Sequence, residues 1–183
     1  MPEGSGRALR GALLAAVPEL NAHTLALLTW AVARLQWRDA GLLAALAGAV
    51  QVRIAVFSPQ ALAQLAWAFA ALDHHPPRLA QPLAQHCAAA AGELAAADKA
   101  RVLWAFAQLG RRAGLPQPHL RQVVAAVKAG DVRLMRPVGV ASLLQACAQL
   151  ERHPGCAAAA GARCMFACVH PRGGQHSDRS RYT

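Results

Sequence analysis

Apolar positions recur along this chain in blocks. Within residues 58–73, Leu62, Leu65, Ala66, Phe69 and Leu72 fall at the three- and four-residue spacing of one helix side. Ala63, Trp67 and Ala70 line an adjoining side, which leaves a narrow stripe of Gln60, Gln64 and Ala71 for solvent. A helix that is apolar on two sides packs between neighbours. The block then returns. Its Trp-Ala-x-Ala-x-Leu core begins at Trp30, Trp67 and Trp104, and a degenerate copy runs from Gln145 to Leu150, at intervals of 37, 37 and 41 residues. A period of this size marks a solenoid of stacked hairpins. The pattern therefore predicts an all-α, right-handed helical-hairpin repeat solenoid of about four units of ~37 residues, ending in a disordered C-terminal tail.

Start and stop signals place the helices. Residues 5–18 read as a helix stopped near Pro18, the second helix of a unit whose first helix is missing, so residues 1–19 count as a partial repeat. Asn21 is an N-cap for a helix over 22–36, and residues 40–50 form its partner. The β-branched stretch from Val52 to Phe57 reads as a short extended linker. Ser58-Pro59 is the clearest start, because a serine oxygen accepts from orphan helix N–H groups and proline suits the first helical position. His74-His75-Pro76-Pro77 ends that helix, and 78–91 follows, closed by Gly92. The next pair is 96–110, closed by Gly110, and 117–129, closed by Gly130. Arg136-Pro137 opens the last first helix, which stops near His153-Pro154. The units are thus 20–56, 57–93, 94–134 and a partial 135–155, with a degenerate helix and basic tail over 156–183.

The packing columns barely change between units, whereas the stripe columns do. Seven positions before the tryptophan column stand His23, Gln60, Ala97 and Val138; three before it, Leu27, Gln64, Arg101 and Ser142. Four after it stand Arg34, Ala71, Gln108 and Gln149, and on the stripe's edge Thr24, Ala61, Asp98 and Gly139. Constant packing with variable exposed positions suits a modular reader of a polymer. The candidate RNA-contacting residues are accordingly His23, Thr24, Arg34, Gln60, Gln64, Asp98, Arg101, Gln108, Ser142 and Gln149. Glutamine, arginine and serine can bond base edges, and Arg34 can pair with phosphate or stack on a base. Plain solvated positions are the competing explanation. The tryptophans, flanked by alanines, are assigned to the core rather than to base stacking.

Charge strengthens the case for an anionic partner. The net charge is +10, and arginine supplies 17 of the 19 basic residues. A biased coding composition, which enriches Arg, Ala, Gly and Pro together, is the competing cause. Five cysteines at irregular spacing argue against a disulfide framework, and Cys87 and Cys147 read as small buried thiols. Cys156, Cys164, Cys168 and His170 fit structural zinc spacings poorly, so no metal or cofactor is expected. The nine carboxylates are spread singly, and no phosphate loop or nucleophile motif is present, so the expectation is a non-enzymatic chain without a small-molecule substrate. No apolar run reaches membrane-spanning length. Glu3 and Glu19 make the N-terminus a poor transit or signal peptide, and the chain reads as starting mid-array.

The residues from Phe57 to Ala70, followed by Pro76-Pro77, resemble the octotricopeptide repeat proteins of organelles, and the repeats of RAP-domain and FAST-kinase-like organelle proteins look similar. The likeness covers roughly residues 20–155. It implies a helix-pair solenoid that binds single-stranded RNA in a chloroplast or mitochondrion, acting in transcript stability, processing or translation, with other organelle RNA-processing proteins as partners. The family's longer Pro-Pro-Pro-Glu-Trp turn is shortened here to Pro76-Pro77-Arg78-Leu79, and no RAP domain follows. Four units reading one base each would address about four nucleotides. That is too few for a unique target, so a larger array or a partner is expected. A protein–protein scaffold of the same architecture is the alternative, since solenoids offer grooves to peptides as readily as to RNA.

Overall fold

The structure, a computed structural model, describes residues 3–113 and 117–151. Side-chain surroundings are described for residues 7–109 and 118–148. Among the described residues every regular element is helical, in the order α1 (Glu3–Ala16), α2 (Ala22–Arg34), α3 (Ala40–Val52), α4 (Pro59–Ala71), α5 (Pro77–Ala89), α6 (Ala96–Ala113), α7 (Gln117–Ala125), α8 (Ala129–Leu134) and α9 (Pro137–Glu151). The helices form two rows. The first helices α2, α4, α6 and α9 pack side by side in that order, and α1, α3, α5 and α7 form the second row behind them. This is the all-α repeat solenoid that the period implies.

Local chemistry accounts for the helix starts. Asn21 Oδ1 accepts from Thr24 N at 2.8 Å, Asp39 Oδ1 from Leu42 N at 2.8 Å, and Ser58 Oγ from Ala61 N at 3.2 Å. Each supplies a partner to a donor that the first turn leaves orphaned. The ends of α2 and α4 repeat as faithfully. Gln36 and Asp73, one period apart, take left-handed φ values of 51° and 57°. Trp37 N reaches Val32 O and Gln36 N reaches Ala33 O; His74 N reaches Phe69 O and Asp73 N reaches Ala70 O. These paired bonds are the Schellman closure of a helix.

The core is a sheet of leucine and alanine between the rows. Leu25, Leu42, Leu46, Leu65, Phe69, Leu79, Leu83 and Leu103 are among its fully buried side chains. Cys87 lies within it, and burial pushes its thiol pKa up to about 12. Cys147 is only half-buried, against the expectation that it would be hidden.

Three boundary expectations need correction. The Val52–Phe57 linker is not extended: α3 runs through Val52, and Ile54–Val56 form a 3-10 turn. Gly110 does not stop its helix, which continues to Ala113. Gly130 does not close α7 either, but sits inside the separate short helix α8. His74 stands just past the end of α4. Its ring lies 6.1 Å from Phe69, and burial first, then the adjacent His75, lowers its pKa and favours neutral imidazole. The tail expectation for residues 156–183, with Cys156, Cys164, Cys168 and His170, lies outside the described residues.

Candidate nucleic-acid interface

The row of first helices turns one continuous stripe away from the second row. On α4 that stripe is Gln60, Gln64, Trp67 and Ala71, each exposed or half-buried, while every other residue from Ala61 to Ala70 is buried. The tryptophan belongs to it. At 100° per residue Trp67 falls about 20° from Gln60 on the helix wheel, so its place beside the glutamines is geometric. The matching positions are His23, Leu27, Trp30 and Arg34 on α2, and Ala97, Arg101, Trp104 and Gln108 on α6. The expectation of hidden indoles is therefore overturned at Trp30, which is 41% exposed, and met in part at Trp67 and Trp104, which are half-buried and packed against the core.

Two contacts hold neighbouring stripes in register. The rings of Trp67 and Trp104 lie 6.4 Å apart at 35°, and Gln36 Nε2 donates to Ala71 O at 3.4 Å across the ends of α2 and α4. Equivalent residues of successive units therefore stand side by side. At one end of the ladder the Arg34 guanidinium sits 5.7 Å from the Trp30 ring centroid, in cation–π range. This pairing leaves a charged, flat-faced group on the stripe, suited to a phosphate or to a base plane.

The polar candidates divide. His23, Thr24, Arg34 and Gln60 are exposed, and Gln64 and Gln108 are half-buried on the stripe. Thr24 lies on a flank rather than on the stripe, and its counterparts Ala61, Asp98 and Gly139 are buried. Asp98 is accordingly buried and accepts from Arg101 Nη1 one turn on, which holds the Arg101 side chain while leaving it 45% exposed. Ser142 is also buried, and its hydroxyl donates to Val138 O at 2.8 Å. That bond to the preceding turn satisfies the serine without any ligand. Gln149 lies on α9, its side chain outside the described residues.

Several cations are committed to the fold. Arg10 pairs with Asp39 at 2.8 Å and ties α1 to the start of α3. The Leu42 N–H first, and then that guanidinium, lower the Asp39 pKa. Arg53 donates to the carbonyls of Pro18 and Leu20, and Lys99 pairs with Asp131. Arg7, Arg34, Arg38, Arg78, Arg101, Arg133, Arg136 and Lys128 remain exposed. Among the described residues no cluster of His, Cys, Asp and Glu could hold a metal ion, and no helix is long and apolar enough to cross a membrane.

A family model described as RNA-editing substrate-binding complex 6 protein matches residues 7–127, from within α1 to just past α7. No curated protein and no solved structure matches the chain.

Proposed function

The chain belongs to the family of the RNA-editing substrate-binding complex 6 protein, and on that premise we propose that it is a non-enzymatic RNA-binding repeat protein acting on organelle transcripts alongside other RNA-processing proteins. The observation that carries the reading is the stripe. Trp30, Trp67 and Trp104 step along one face with Arg34, Gln60, Gln64, Arg101 and Gln108 between them. A line of aromatic faces interleaved with arginine and amide groups is the chemistry that holds a single strand: bases stack, phosphates pair, and amides bond base edges. The octotricopeptide-like make-up of residues 57–70 points the same way, and the organelle setting rests on that likeness together with the family.

In this arrangement affinity comes from stacking and charge. Discrimination falls to the amide positions, which differ from unit to unit. Trp30 is the most exposed indole and the least needed for packing. Trp30→Ala is expected to weaken binding to single-stranded RNA about tenfold or more, the scale of one lost base–aromatic stack. Trp30→Phe should retain most of the affinity, and helicity by circular dichroism should be unchanged in both. Unaltered binding in Trp30→Ala would show that the stripe is not the RNA surface. Exposed Leu27 beside Trp30 also suits an amphipathic peptide, so a protein scaffold is the second reading.

A further inference from the structure

Helix α6 is flanked on both sides, by α4 and by α9, so its stripe belongs to an interior unit. Two of its residues depart together from the pattern of the other units. The column that holds Thr24, Ala61 and Gly139 holds Asp98 here, and the column of Leu27, Gln64 and Ser142 holds Arg101. Asp98 is only 7% exposed. A carboxylate taken out of water costs stability unless it is answered, and a small residue serves the same position in α4 and α9. An arginine on an open stripe needs no carboxylate to stay there. What the pair achieves is a guanidinium fixed in place. Asp98 Oδ1 accepts from Arg101 Nη1 one turn away, and 45% of the arginine side chain stays exposed.

The bond to Asp98 uses an Nη1 donor and leaves the Nε–Nη2 edge, two parallel donors in a rigid fork. Trp104, three residues on, is its neighbour on the same helix face. Ala97, one turn before, is exposed and is the smallest residue of its column, which leaves room for a large base. A fork of two donors selects an edge with two adjacent acceptors. Guanine offers O6 and N7, whereas adenine sets a donor beside N7 and uracil has O4 alone on that side. Cytosine offers O2 and N3 on its pairing edge, but a smaller face to an indole. We infer that the α6 unit reads guanine: Arg101 selects the base, Trp104 is the surface on which it stacks, and Asp98 is the positioning residue behind the arginine. This inference rests on the RNA reading and deepens it, adding a guanidinium to the amides that discriminate between bases. The charge of Arg101 draws in the strand as any cation does, and the held fork decides which base sits at this unit.

Fluorescence anisotropy with an oligouridylate, and with the same strand carrying one guanosine, measures the preference. The guanosine is expected to raise affinity about tenfold, the scale of one bidentate base contact. Adenosine or cytidine at that place should raise it far less. 7-Deazaguanosine, which has a C–H where guanine has N7, should lose most of the gain. Arg101→Lys keeps a cation beside Asp98 without the fork; it should abolish the guanosine preference while binding plain oligouridylate much as the parent does. Asp98→Ala, which installs the residue of α4, should cut the preference several-fold, whereas a merely structural pair would leave the preference intact. Helicity by circular dichroism should be unchanged in both variants. Equal affinity for every strand would overturn the inference and leave the RNA reading standing, as would a preference for cytidine or a guanosine preference that survives Arg101→Lys. Failure to bind any strand would overturn the reading and the inference together.

Discussion

Asp131→Ala is expected to destabilise the fold by about 3 kcal/mol, the low end of the cost of stranding a buried charge. The reason lies in the repeat. Lys99 occupies the column held by Leu25 in the first unit and Leu62 in the second, and it is as hidden as they are, at 3% exposure. An ammonium there is tolerable only if something answers it. The 41-residue interval before the last unit is four longer than the others, and that stretch builds α8. From α8, Asp131 Oδ2 meets Lys99 Nζ at 2.7 Å and also accepts from Lys128 N at 2.9 Å. Removing the carboxylate leaves the cation buried and unpaired. Lys99→Leu combined with Asp131→Ala restores the leucine of the other units and should lie close to the parent protein, since apolar replacement of a buried pair is often neutral or better. Urea unfolding of the two single variants and the double variant measures this cycle.

Acid should act on the same bond. The Lys128 N–H first, and then the Lys99 ammonium, hold the Asp131 pKa below its ordinary 3.8. A carboxylate with a lowered folded pKa contributes stability that is complete above the unfolded value and lost as pH falls through the folded one. The parent should therefore lose stability below about pH 4 more steeply than the double variant, with the Asp39–Arg10 pair contributing a parallel loss in both.

How far the sequence reveals this molecule depends on the range of the forces involved. Asn21, Asp39 and Ser58 act within three residues, so the helix starts they set can be read directly. Gly110 misleads because glycine permits a left-handed turn without requiring it. In the same column Gln36 and Asp73 make that turn without being glycine, while the helix through Gly110 runs on. Lys99 resembles a solvated charge until its partner arrives from 32 residues away. Asp98 and Ser142 are polar letters in variable columns, yet each is satisfied inside the protein, and polarity alone does not say which way a hydroxyl or carboxylate turns. The indoles are the instructive case. The flanking alanines argued for burial, yet at 100° per residue Trp67 stands closer to Gln60, about 20° away, than to Ala63 or Ala70, and so it joins the stripe.

Salt is expected to separate the two functional readings by the widest margin. If each of four units neutralises one phosphate of a single strand, a tenfold rise in salt should weaken RNA binding roughly 600-fold through counterion release. Arg34 and Arg101 on the stripe, with exposed Arg38, Arg78 and Arg136 near the helix ends, are the cations available for those phosphates. Arg34→Gln with Arg38→Gln should lower the slope of log affinity against log salt by about 1.4, two phosphates' worth. That pair is preferable to Arg101, whose loss would leave the buried Asp98 carboxylate without its guanidinium. An amphipathic peptide held on Leu27 and Trp30 would be bound by apolar area, and its affinity would change little over the same range. Fluorescence anisotropy with a labelled single-stranded RNA, titrated at several salt concentrations, gives both slopes. A slope near zero would assign the stripe to a protein partner, because a strand held by its phosphates cannot avoid the ions it displaces.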